Sequence, residues 1–440
     1  MRHGSSSMAV FDYIQDAIYY GTSLDSMSLL RVFWFFAIFD MPRYILTDTY
    51  ILLVVVFQKL TTKKDPAFLE RLQVSPPLVS VIIPALNEEE TIAWTIRSLS
   101  EQSYQNFELI IVDDGSTDRT HEICMNLSRE EHVHYFRFEE RAGKSAVLNH
   151  GLKHANGEYI VFVDSDTTFN RDSIFELLQQ FADPAVGGAS GNLRASNASQ
   201  NLLTTLQQIE YTFSISIGRR IRSHLNILPI ISGAFGGFRK DLISLSTIGG
   251  HEPGPGNDSD LAIRIRKQGY RIVFIPEAIC LTNVPTTLGK LMKQRQRWDR
   301  NIIKNRIKKH KNVFNPFQKQ FRIRDAISFV DSIFYHVVLA GITAFYILDL
   351  AINFPELLPF ILPINYVLYF AAEFYELIIS VILSGRTKDL WFAVYLPLYN
   401  PYKIFLKFVR LIAYVQEFFF NYSKKDPFAP YKVRQRMIEW

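Results

Sequence analysis

Short apolar runs alternate with amphipathic segments through the polar middle of this chain. The runs are VSVIIPAL, FELIIVDD, VHYFRF and EYIVFVD, and a segment with helical spacing of its apolar residues follows each of them. Near-continuous apolar strands that alternate with helices are typical of a mostly parallel sheet covered by helices on both faces. We therefore expect an α/β domain whose ligands bind outside the carboxyl ends of the strands.

Long apolar segments lie on both sides of this polar region. They are residues 29–39, 44–57, 326–354, 357–383 and 391–420. The first two provide either one spanning helix with an in-plane partner or two short spans, and the next two are each long enough to cross a hydrocarbon core of about 30 Å. Pro397 and Pro401 interrupt the last segment, which is either a third span or an interfacial helix. The basic tail KKDPFAPYKVRQR favours an even number of crossings after the middle domain, and so a re-entrant or in-plane helix there. The pattern predicts an integral membrane protein.

A basic run, KNRIKKHKNVFNPFQKQFRIR, directly precedes the first long apolar segment of the C-terminal half. Loops rich in Lys and Arg stay on the cytoplasmic side of a membrane, so we expect a cytosolic middle domain and an inner-membrane location. The expected organisation is a tail at 1–27, an N-terminal membrane region at 28–60, a linker at 61–77, the α/β domain at 78–315, a C-terminal membrane region of two or three spans plus interfacial helices at 316–420, and a basic tail at 421–440.

Composition excludes two classes of protein. Lys and Arg total 48 against 43 Asp and Glu, and a net charge of +5 is too small for a chain of 440 residues to indicate nucleic-acid binding. Cys124 and Cys280 each lie in an apolar segment, which favours reduced thiols in the core over a disulfide framework or a metal site.

Acidic residues follow three of the expected strands. Glu88 comes after the first, Asp113 and Asp114 end the second, and Asp164 and Asp166 follow the fourth in the string VDSDT. Any one of them could be only a helix cap or turn former. Together they suggest chemistry, because two carboxylates beside a buried strand can hold Mg²⁺ or Mn²⁺ against the oxygens of a substrate diphosphate.

Lys144 provides a cation at the same edge of the expected sheet. It follows a glycine at a helix start in RAGKSAVLNHG, where backbone N–H groups and an ammonium can both meet phosphate. The glycine spacing of a P-loop is absent, which argues against an ATPase.

Taken together, VIIPALNEEE, VDDGSTDRT, GKSAVLNHG and VFVDSDT resemble the family 2 glycosyltransferases over about residues 78–312. The resemblance implies an α/β GT-A-type fold, Rossmann-like with a mostly parallel sheet, flanked here by transmembrane and interfacial helices. It also implies a nucleotide-sugar donor and a metal ion, Mg²⁺ or Mn²⁺, at Asp164 and Asp166. The residues expected at the substrate on this side are Glu88, Asp113, Asp114, Lys144 and Asp164.

The string MKQRQRWDRN contains Gln294, Arg297 and Trp298 in a Gln-x-x-Arg-Trp pattern. By itself the string is equally compatible with a basic helix at a membrane surface. It is also similar to the motif of the membrane-embedded polymerising members of the family, which are cellulose, hyaluronan, chitin-oligosaccharide and poly-N-acetylglucosamine synthases. The resemblance implies that Trp298 packs against the acceptor sugar and that Arg297 reaches the diphosphate, roles that suit a planar amphipathic ring and a forked cation.

The segment SGAFGGFRKDL resembles the glycine-rich acceptor side of the same family. Gly233 and Gly236 are the expected substrate-binding positions, because a residue without a side chain permits close approach of a ligand. A glycine bulge within a strand is the alternative interpretation.

Inverting sugar transfer needs a base that removes the proton of the acceptor hydroxyl, and a carboxylate is the usual one. In the family this base ends a Thr-Glu-Asp stretch, and Asp258 is the corresponding residue here. Gly256 and Asn257 replace the Thr and Glu, so the sequence leaves open how the pKa of Asp258 is set. We expect Asp260 to be an exposed residue in the first turn of the following helix, where a carboxylate meets the positive end of the helix dipole.

Two further segments are candidates for covering such a site. GGHEPGPGN precedes Asp258 and FAPYKVRQR lies in the C-terminal tail. His251 and Glu252 in the first of them are expected to be solvated rather than metal ligands.

The sequence thus predicts a processive, inverting glycosyltransferase that adds sugars from a nucleotide-diphosphate donor, expected to be a UDP-sugar, to a growing polysaccharide exported through the bilayer. Export or accessory proteins are candidate partners, and nucleic acid is not expected. Single-sugar transfer to a polyprenyl phosphate is an alternative, against which the Gln-x-x-Arg-Trp pattern argues. A non-catalytic nucleotide-binding transporter or scaffold is a second alternative, disfavoured because Asp164, Asp166, Asp258 and Trp298 are all present.

Overall fold

The computed structural model describes residues 33–61, 66–243, 256–353 and 358–425, with a few isolated positions outside these ranges. The chain divides into two compact units, one of Met1–Thr61 with Phe334–Leu411 and one of Thr62–Ile333 with Ile412–Trp440. Residues 249–255, with His251 and Glu252, lie outside the described residues, as do most of the N-terminal tail and nearly all of FAPYKVRQR.

The second unit is built on an eight-stranded sheet. Its strands are β1 (Val79–Ala85), β2 (Phe107–Asp113), β3 (Val133–Arg137), β4 (Tyr159–Val163), β5 (Thr167–Phe169), β6 (Val186–Ala195), β7 (Phe235–Arg239) and β8 (Arg271–Thr282). The strand order across the sheet is β3-β2-β1-β4-β7-β6-β8-β5. The four apolar runs of the sequence form β1 to β4, side by side at one end of this order.

These four strands are parallel, as predicted. Val81, Ile82 and Ile83 of β1 are fully buried, which explains why the run is apolar without alternation. The far half of the sheet is mixed, because β7 runs antiparallel to both β4 and β6, and β5 runs antiparallel to β8. The α/β fold with a mostly parallel sheet is therefore confirmed, with two reversed strands that the sequence pattern does not indicate.

Helices flank this sheet. In chain order the α-helices of the second unit up to residue 333 are Pro66–Val74, Ile92–Ser100, Thr120–Leu127, Lys144–His154, Ser173–Leu178, Leu202–Tyr211, Gly218–His224, Lys240–Ile243, Asn257–Lys267, Leu288–Ile302 and Ile323–Ile333. Three of them carry the predicted site. We call Lys144–His154 the lysine helix, Asn257–Lys267 the aspartate helix, and Leu288–Ile302 with its π-helical continuation Ile303–Lys309 the basic helix.

Gly157, just before β4, lies directly against the backbone of β1. A Cβ atom built on it would stand 2.5 Å from the amide nitrogen of Ser80 and 2.8 Å from the carbonyl oxygen of Leu78. We expect Gly157→Ala to lower the free energy of unfolding by roughly 1–3 kcal/mol, because the strand backbone cannot move aside without disturbing the sheet. Thermal unfolding of the detergent-solubilised protein measures this.

The matched control is Gly289→Ala on the basic helix, where a Cβ would meet nothing within 4 Å. Alanine in an open helical position should leave stability unchanged or raise it by about 0.5–1 kcal/mol. Equal effects of the two substitutions would contradict the tight packing of Gly157.

Both cysteines are buried free thiols, as predicted. Burial raises the pKa of Cys124 to about 12 and raises the pKa of Cys280 as well. Neither thiol ionises at neutral pH, so both behave as core residues.

The first unit is helical. Its longer helices are Thr47–Thr61, Leu339–Asn353 and Leu358–Ser384, and Leu396–Phe420 begins in it. Phe33, Phe35, Leu339, Tyr346 and Ile361 belong to its buried apolar core. A buried ion pair joins Lys403 to Glu373, with 2.7 Å between Nζ and Oε1, which satisfies two charges that would be costly to bury alone.

Two helices in the described part of the chain are long and apolar enough to cross a membrane. They are Ile323–Asn353 and Leu358–Ser384, and only 22% and 39% of their most apolar windows are buried. A core helix of a soluble protein would bury most of such a window, so the exposed apolar surface favours contact with lipid.

Candidate active site

Lys144 and Asp164 form an ion pair at the carboxyl edge of the parallel strands. Lys144 is the first residue of the lysine helix, after Gly143, whose φ of 88° lies in the left-handed region that favours glycine. Asp164 directly follows β4. Both side chains remain partly accessible, so the pair can also meet a ligand.

Two further carboxyl groups, Asp166 and Glu88, lie within electrostatic reach of Asp164. Burial raises the pKa of Asp166, and the charge of Asp164 raises it further. Burial raises the pKa of Glu88 too, opposed by a hydrogen bond from the Thr91 hydroxyl and reinforced by the charges of Asp166 and Asp164. A divalent cation would relieve this repulsion, so the donor chemistry fits Mg²⁺ or Mn²⁺.

The described residues contain no group of three or more His, Cys, Asp or Glu side chains arranged to hold a metal ion alone. A divalent cation held by Asp164 and Asp166 would need further oxygens, such as those of a substrate phosphate, to complete its coordination.

Asp113 and Asp114 make contacts within the protein. Asp114 accepts hydrogen bonds from the amides of Ala142, at 2.7 Å, and Gly143, at 3.0 Å, which fixes the loop that starts the lysine helix. Asp113 is fully buried and accepts from the Ser116 amide at 2.8 Å and the Tyr135 hydroxyl at 2.9 Å. The structure thus gives both residues a role in ordering loops, and their contact with substrate stays a prediction.

Asp258 and Lys144 both lie beside Gly233. It lies in the first turn of the aspartate helix, after Gly256, whose φ of 94° is also left-handed. A Cβ atom at Gly233 would be 3.5 Å from Lys144 Nζ and 3.8 Å from Asp258 Oδ2. The glycine therefore leaves space where the ammonium and the carboxylate converge.

Opposing influences set the acidity of Asp258. Burial raises its pKa, while the Ser259 amide, which donates to Oδ1 at 2.8 Å, and the charges of Lys144 and Arg219 lower it. A carboxylate that is partly desolvated yet held near cations is suited to take a proton from a hydroxyl group. At the position of the missing glutamate, the Asn257 amide donates to Ser145 Oγ at 2.6 Å and ties the aspartate helix to the lysine helix.

Arg297 is on the basic helix. Its positive charge is close enough to Lys144 to oppose the protonation of that ammonium group. Trp298 is exposed, and the Arg295 guanidinium stands 4.4 Å from the centre of its ring. Gln294 accepts a hydrogen bond from Arg295 at 3.0 Å.

Part of the chain matches a known protein family. Residues 80–245 match the family described as glycosyl transferase family 2. Over these residues the chain is similar to the family 2 glycosyltransferases. The residues matched include Glu88, Asp113, Lys144, Asp164 and Gly233, whereas Asp258 and the basic helix lie beyond the matched range.

Curated relatives extend the similarity. The poly-beta-1,6-N-acetyl-D-glucosamine synthase of Staphylococcus aureus (strain COL) is 32% identical over 223 residues, which cover 50% of this chain and 53% of the relative. The synthase of the same name from Staphylococcus epidermidis is 33% identical over the same shares. The chain therefore aligns with about half the length of the curated relatives it matches.

A solved structure supports the GT-A-type fold of the family 2 domain. A mannosyltransferase from Pyrobaculum calidifontis, in complex with GDP-Man and Mn²⁺, superposes with a TM-score of 0.56. The superposition covers 86% of this chain and 96% of the mannosyltransferase at 20% sequence identity, a level at which the likeness concerns the fold.

Sequence reasoning missed two arginines near the family 2 site. Arg219, in the helix Gly218–His224, donates to Ser190 Oγ at 3.2 Å, and its charge acts on Asp258. Arg295 is buried and pairs with Glu210 at 2.8 Å while it covers Trp298. Arg219 and Arg295 each lie in a short basic string. Only contacts with residues far away in the sequence distinguish them from surface arginines.

Gly236 is in β7, where a Cβ atom would meet Ile231 at 2.5 Å and the Ser232 carbonyl at 2.9 Å, and its contact with substrate stays a prediction. One expectation about the surroundings of the site needs correction. The expectation that Asp260 is exposed is wrong. Its side chain is buried because Arg264, Lys309 and His310 surround it.

Arg219→Gln tests how the acidity of Asp258 is set. Because the charge of Arg219 lowers the pKa of Asp258, its removal raises that pKa, and the carboxyl group of Asp258 then ionises only at higher pH. We expect the acidic limb of the kcat/KM profile of sugar transfer to move to higher pH, whereas Arg219→Lys keeps the limb in place.

The neighbouring Arg220→Gln is the matched control, since the charge that acts on Arg220 is that of Glu277. A profile of Arg219→Gln that superposes on that of Arg220→Gln would contradict the influence of Arg219 on the base.

Proposed function

We propose that this chain is a processive, inverting glycosyltransferase that transfers a sugar from a nucleotide-diphosphate donor to a growing polysaccharide. The observation that carries the proposal is that Lys144 pairs with Asp164 at the carboxyl edge of the sheet, and that Lys144 and Asp258 both lie beside Gly233. The group combines a cation for a diphosphate, a carboxylate for a metal ion and a base for a hydroxyl group.

In the proposed reaction the acceptor hydroxyl attacks the anomeric carbon of the donor and gives its proton to Asp258. The new bond joins the acceptor oxygen to that carbon as the bond to the diphosphate oxygen breaks, so the diphosphate leaves with its electron pair. Lys144 and Arg297 are the cations on hand to stabilise the negative charge on the leaving diphosphate. Direct displacement inverts the configuration of the anomeric carbon.

We propose that Asp164 and Asp166 hold a divalent cation with the donor. When bound, such a cation neutralises part of the charge of the leaving diphosphate. The Mn²⁺ in the mannosyltransferase of similar fold supports a divalent ion, and the choice between Mg²⁺ and Mn²⁺ is open to experiment. Glu88 lies close enough to Asp164 and Asp166 for their charges to raise its pKa, so it contributes to the net charge of the site.

On the acceptor side we propose that the exposed ring of Trp298 packs against the terminal sugar of the polysaccharide. Arg295 keeps the ring oriented by lying 4.4 Å from its centre while it pairs with Glu210. Gln294, held by the same arginine, is a hydrogen-bonding group for that sugar.

The names of the relatives support N-acetylglucosamine as the transferred sugar and a polymer as the product. We propose a UDP-sugar as the donor. The two apolar helices support an integral membrane protein, and the basic residues before Ile323–Asn353 support a cytosolic domain at 78–315 in the inner membrane. The membrane helices then provide the path by which the polysaccharide leaves.

A donor screen with product analysis tests the proposal. Purified full-length protein is incubated with labelled UDP-N-acetylglucosamine, UDP-glucose or GDP-mannose and Mg²⁺ or Mn²⁺, and the products are sized and digested with linkage-specific glycosidases. We expect a polymer of N-acetylglucosamine from the first donor. A lipid-linked monosaccharide as the sole product would establish the polyprenyl-phosphate alternative, and nucleotide binding without transfer would establish a non-catalytic role.

A further inference from the structure

We propose that Asp260 and His310 are positioning residues, which fix the aspartate helix to the end of the basic helix and so hold Asp258 in place relative to Arg297 and Trp298. The inference rests on the proposed function, because it assigns Asp258 as the base. We call the group of Asp260, Arg264, Lys267, Lys309 and His310 the helix clamp.

The carboxylate of Asp260 is the centre of the helix clamp. Its side chain is 2% exposed. His310 Nε2 lies 2.7 Å from Oδ1, Lys309 Nζ lies 3.0 Å from the same oxygen, and Arg264 Nε lies 3.1 Å from Oδ2. A buried carboxylate needs this number of partners, because removing a charge from water costs several kcal/mol per ion.

The contacts of His310 define its protonation state. Lys267 Nζ lies 2.9 Å from Nδ1, and an ammonium group only donates hydrogen bonds, so Nδ1 accepts. Nε2 then carries the hydrogen and donates to Asp260. Lys267 also donates to the Asn312 side chain at 2.7 Å. A directed chain of hydrogen bonds therefore runs from Lys267 through a neutral imidazole to the carboxylate.

The basic helix also contacts Gly256, on the N-terminal side of Asp258. The Asn305 amide donates to the carbonyl oxygen of Gly256 at 3.0 Å, and the Asn301 side chain fills the space where a Cβ of Gly256 would stand, 2.7 Å away. The base thus lies between two anchored neighbours, Gly256 before it and Asp260 after it. Asn301 and Asn305, which hold Gly256, belong to the basic helix, and His310, which holds Asp260, directly follows it.

The same helix carries Gln294, Arg297 and Trp298, which precede Asn301 in the chain. One continuous element therefore determines where the proposed acceptor-side residues stand and where the proposed base stands. Displacement of a reacting group by about 1 Å can cost roughly 100-fold in rate, so a fixed distance between these groups has a direct effect on kcat.

His310→Phe and His310→Gln separate positioning from other effects. Glutamine can accept from Lys267 through Oε1 and donate to Asp260 through Nε2, whereas phenylalanine does neither. We expect His310→Phe to lower kcat for sugar transfer by about 10- to 100-fold with little change in the KM of the donor, and His310→Gln to stay within about threefold of wild type. His132→Phe, at a partly exposed histidine paired with Glu130, is the matched control.

Amide hydrogen exchange provides a readout that does not depend on activity. We expect exchange across residues 257–267 to be faster in His310→Phe than in wild type, and unchanged in His310→Gln and His132→Phe. Asp260→Asn keeps an oxygen for His310 but removes the charge that Arg264 and Lys309 share, so it should also make exchange across residues 257–267 faster. This variant provides the test if His310→Phe does not fold.

The two measurements distinguish failure of this inference from failure of the proposed function. Equal kcat and equal exchange in His310→Phe and His310→Gln would overturn the helix clamp. If the wild-type protein transfers no sugar from any donor in the screen, the proposed function fails and the exchange experiment decides the clamp. Faster exchange in His310→Phe with an unchanged kcat would overturn its role in positioning the base.

Discussion

Asp258→Asn should lower kcat for sugar transfer by about 10²- to 10⁴-fold, the range that general-base catalysis contributes. The amide has nearly the shape of the carboxylate but cannot take the proton of the acceptor hydroxyl. The affinity for the donor should change only a few-fold, because Lys144 keeps its ion pair with Asp164. Initial rates with labelled donor and equilibrium binding of the same donor measure the two quantities separately.

Asp241→Asn is the control for this substitution, since Asp241 is an exposed carboxylate that pairs with Arg239 on the same unit. Its rate should equal that of wild type. An Asp258→Asn protein that retains more than about a tenth of the wild-type kcat would show that another group removes the proton.

Asp166→Ala should lower activity by at least about 100-fold at a metal concentration that saturates the wild type, because one of the two proposed ligands is lost. Asp164 alone would hold the cation weakly, as it also pairs with Lys144. We expect activity to disappear on chelation in both proteins and to return at much higher Mn²⁺ or Mg²⁺ in the variant. Titration of activity with each metal after chelation gives the two half-saturation concentrations.

Asp172→Ala provides the comparison, because this exposed carboxylate precedes the helix Ser173–Leu178 at the surface. Its half-saturation concentration should match that of wild type. If Asp166→Ala had the same half-saturation concentration as wild type, Asp166 would not be a metal ligand.

The sequence predicts those strands and helices whose local pattern of apolar residues is sufficient to identify them. The strands β1 to β4 are apolar on both faces because helices cover both faces, so their runs can be read without knowing their partners. The direction of β7 could not be predicted. Its sequence FGGFR has no strand-like alternation, and its pairing with β4 depends on residues far away in the chain.

The site shows the same division. Lys144 and Asp164 were predictable, because each stands at the junction of a strand or loop with a helix at the edge where ligands bind in such sheets. Asp260 was not, since its burial depends on His310, 50 residues later in the chain. The local sequence pattern predicts that a carboxylate in the first turn of a helix is exposed. Only the tertiary contacts of Asp260 show that it is buried.

The inertness of the two native cysteines makes the molecule convenient for spectroscopy. Cys124 and Cys280 are fully buried, and burial raises the pKa of both thiols, so maleimide reagents should pass them by in the folded protein. A single cysteine introduced at an exposed position such as Trp94 or Phe317 would then be the one reactive thiol among the described residues. Fluorophores or spin labels can therefore be attached site by site without first building a cysteine-free background.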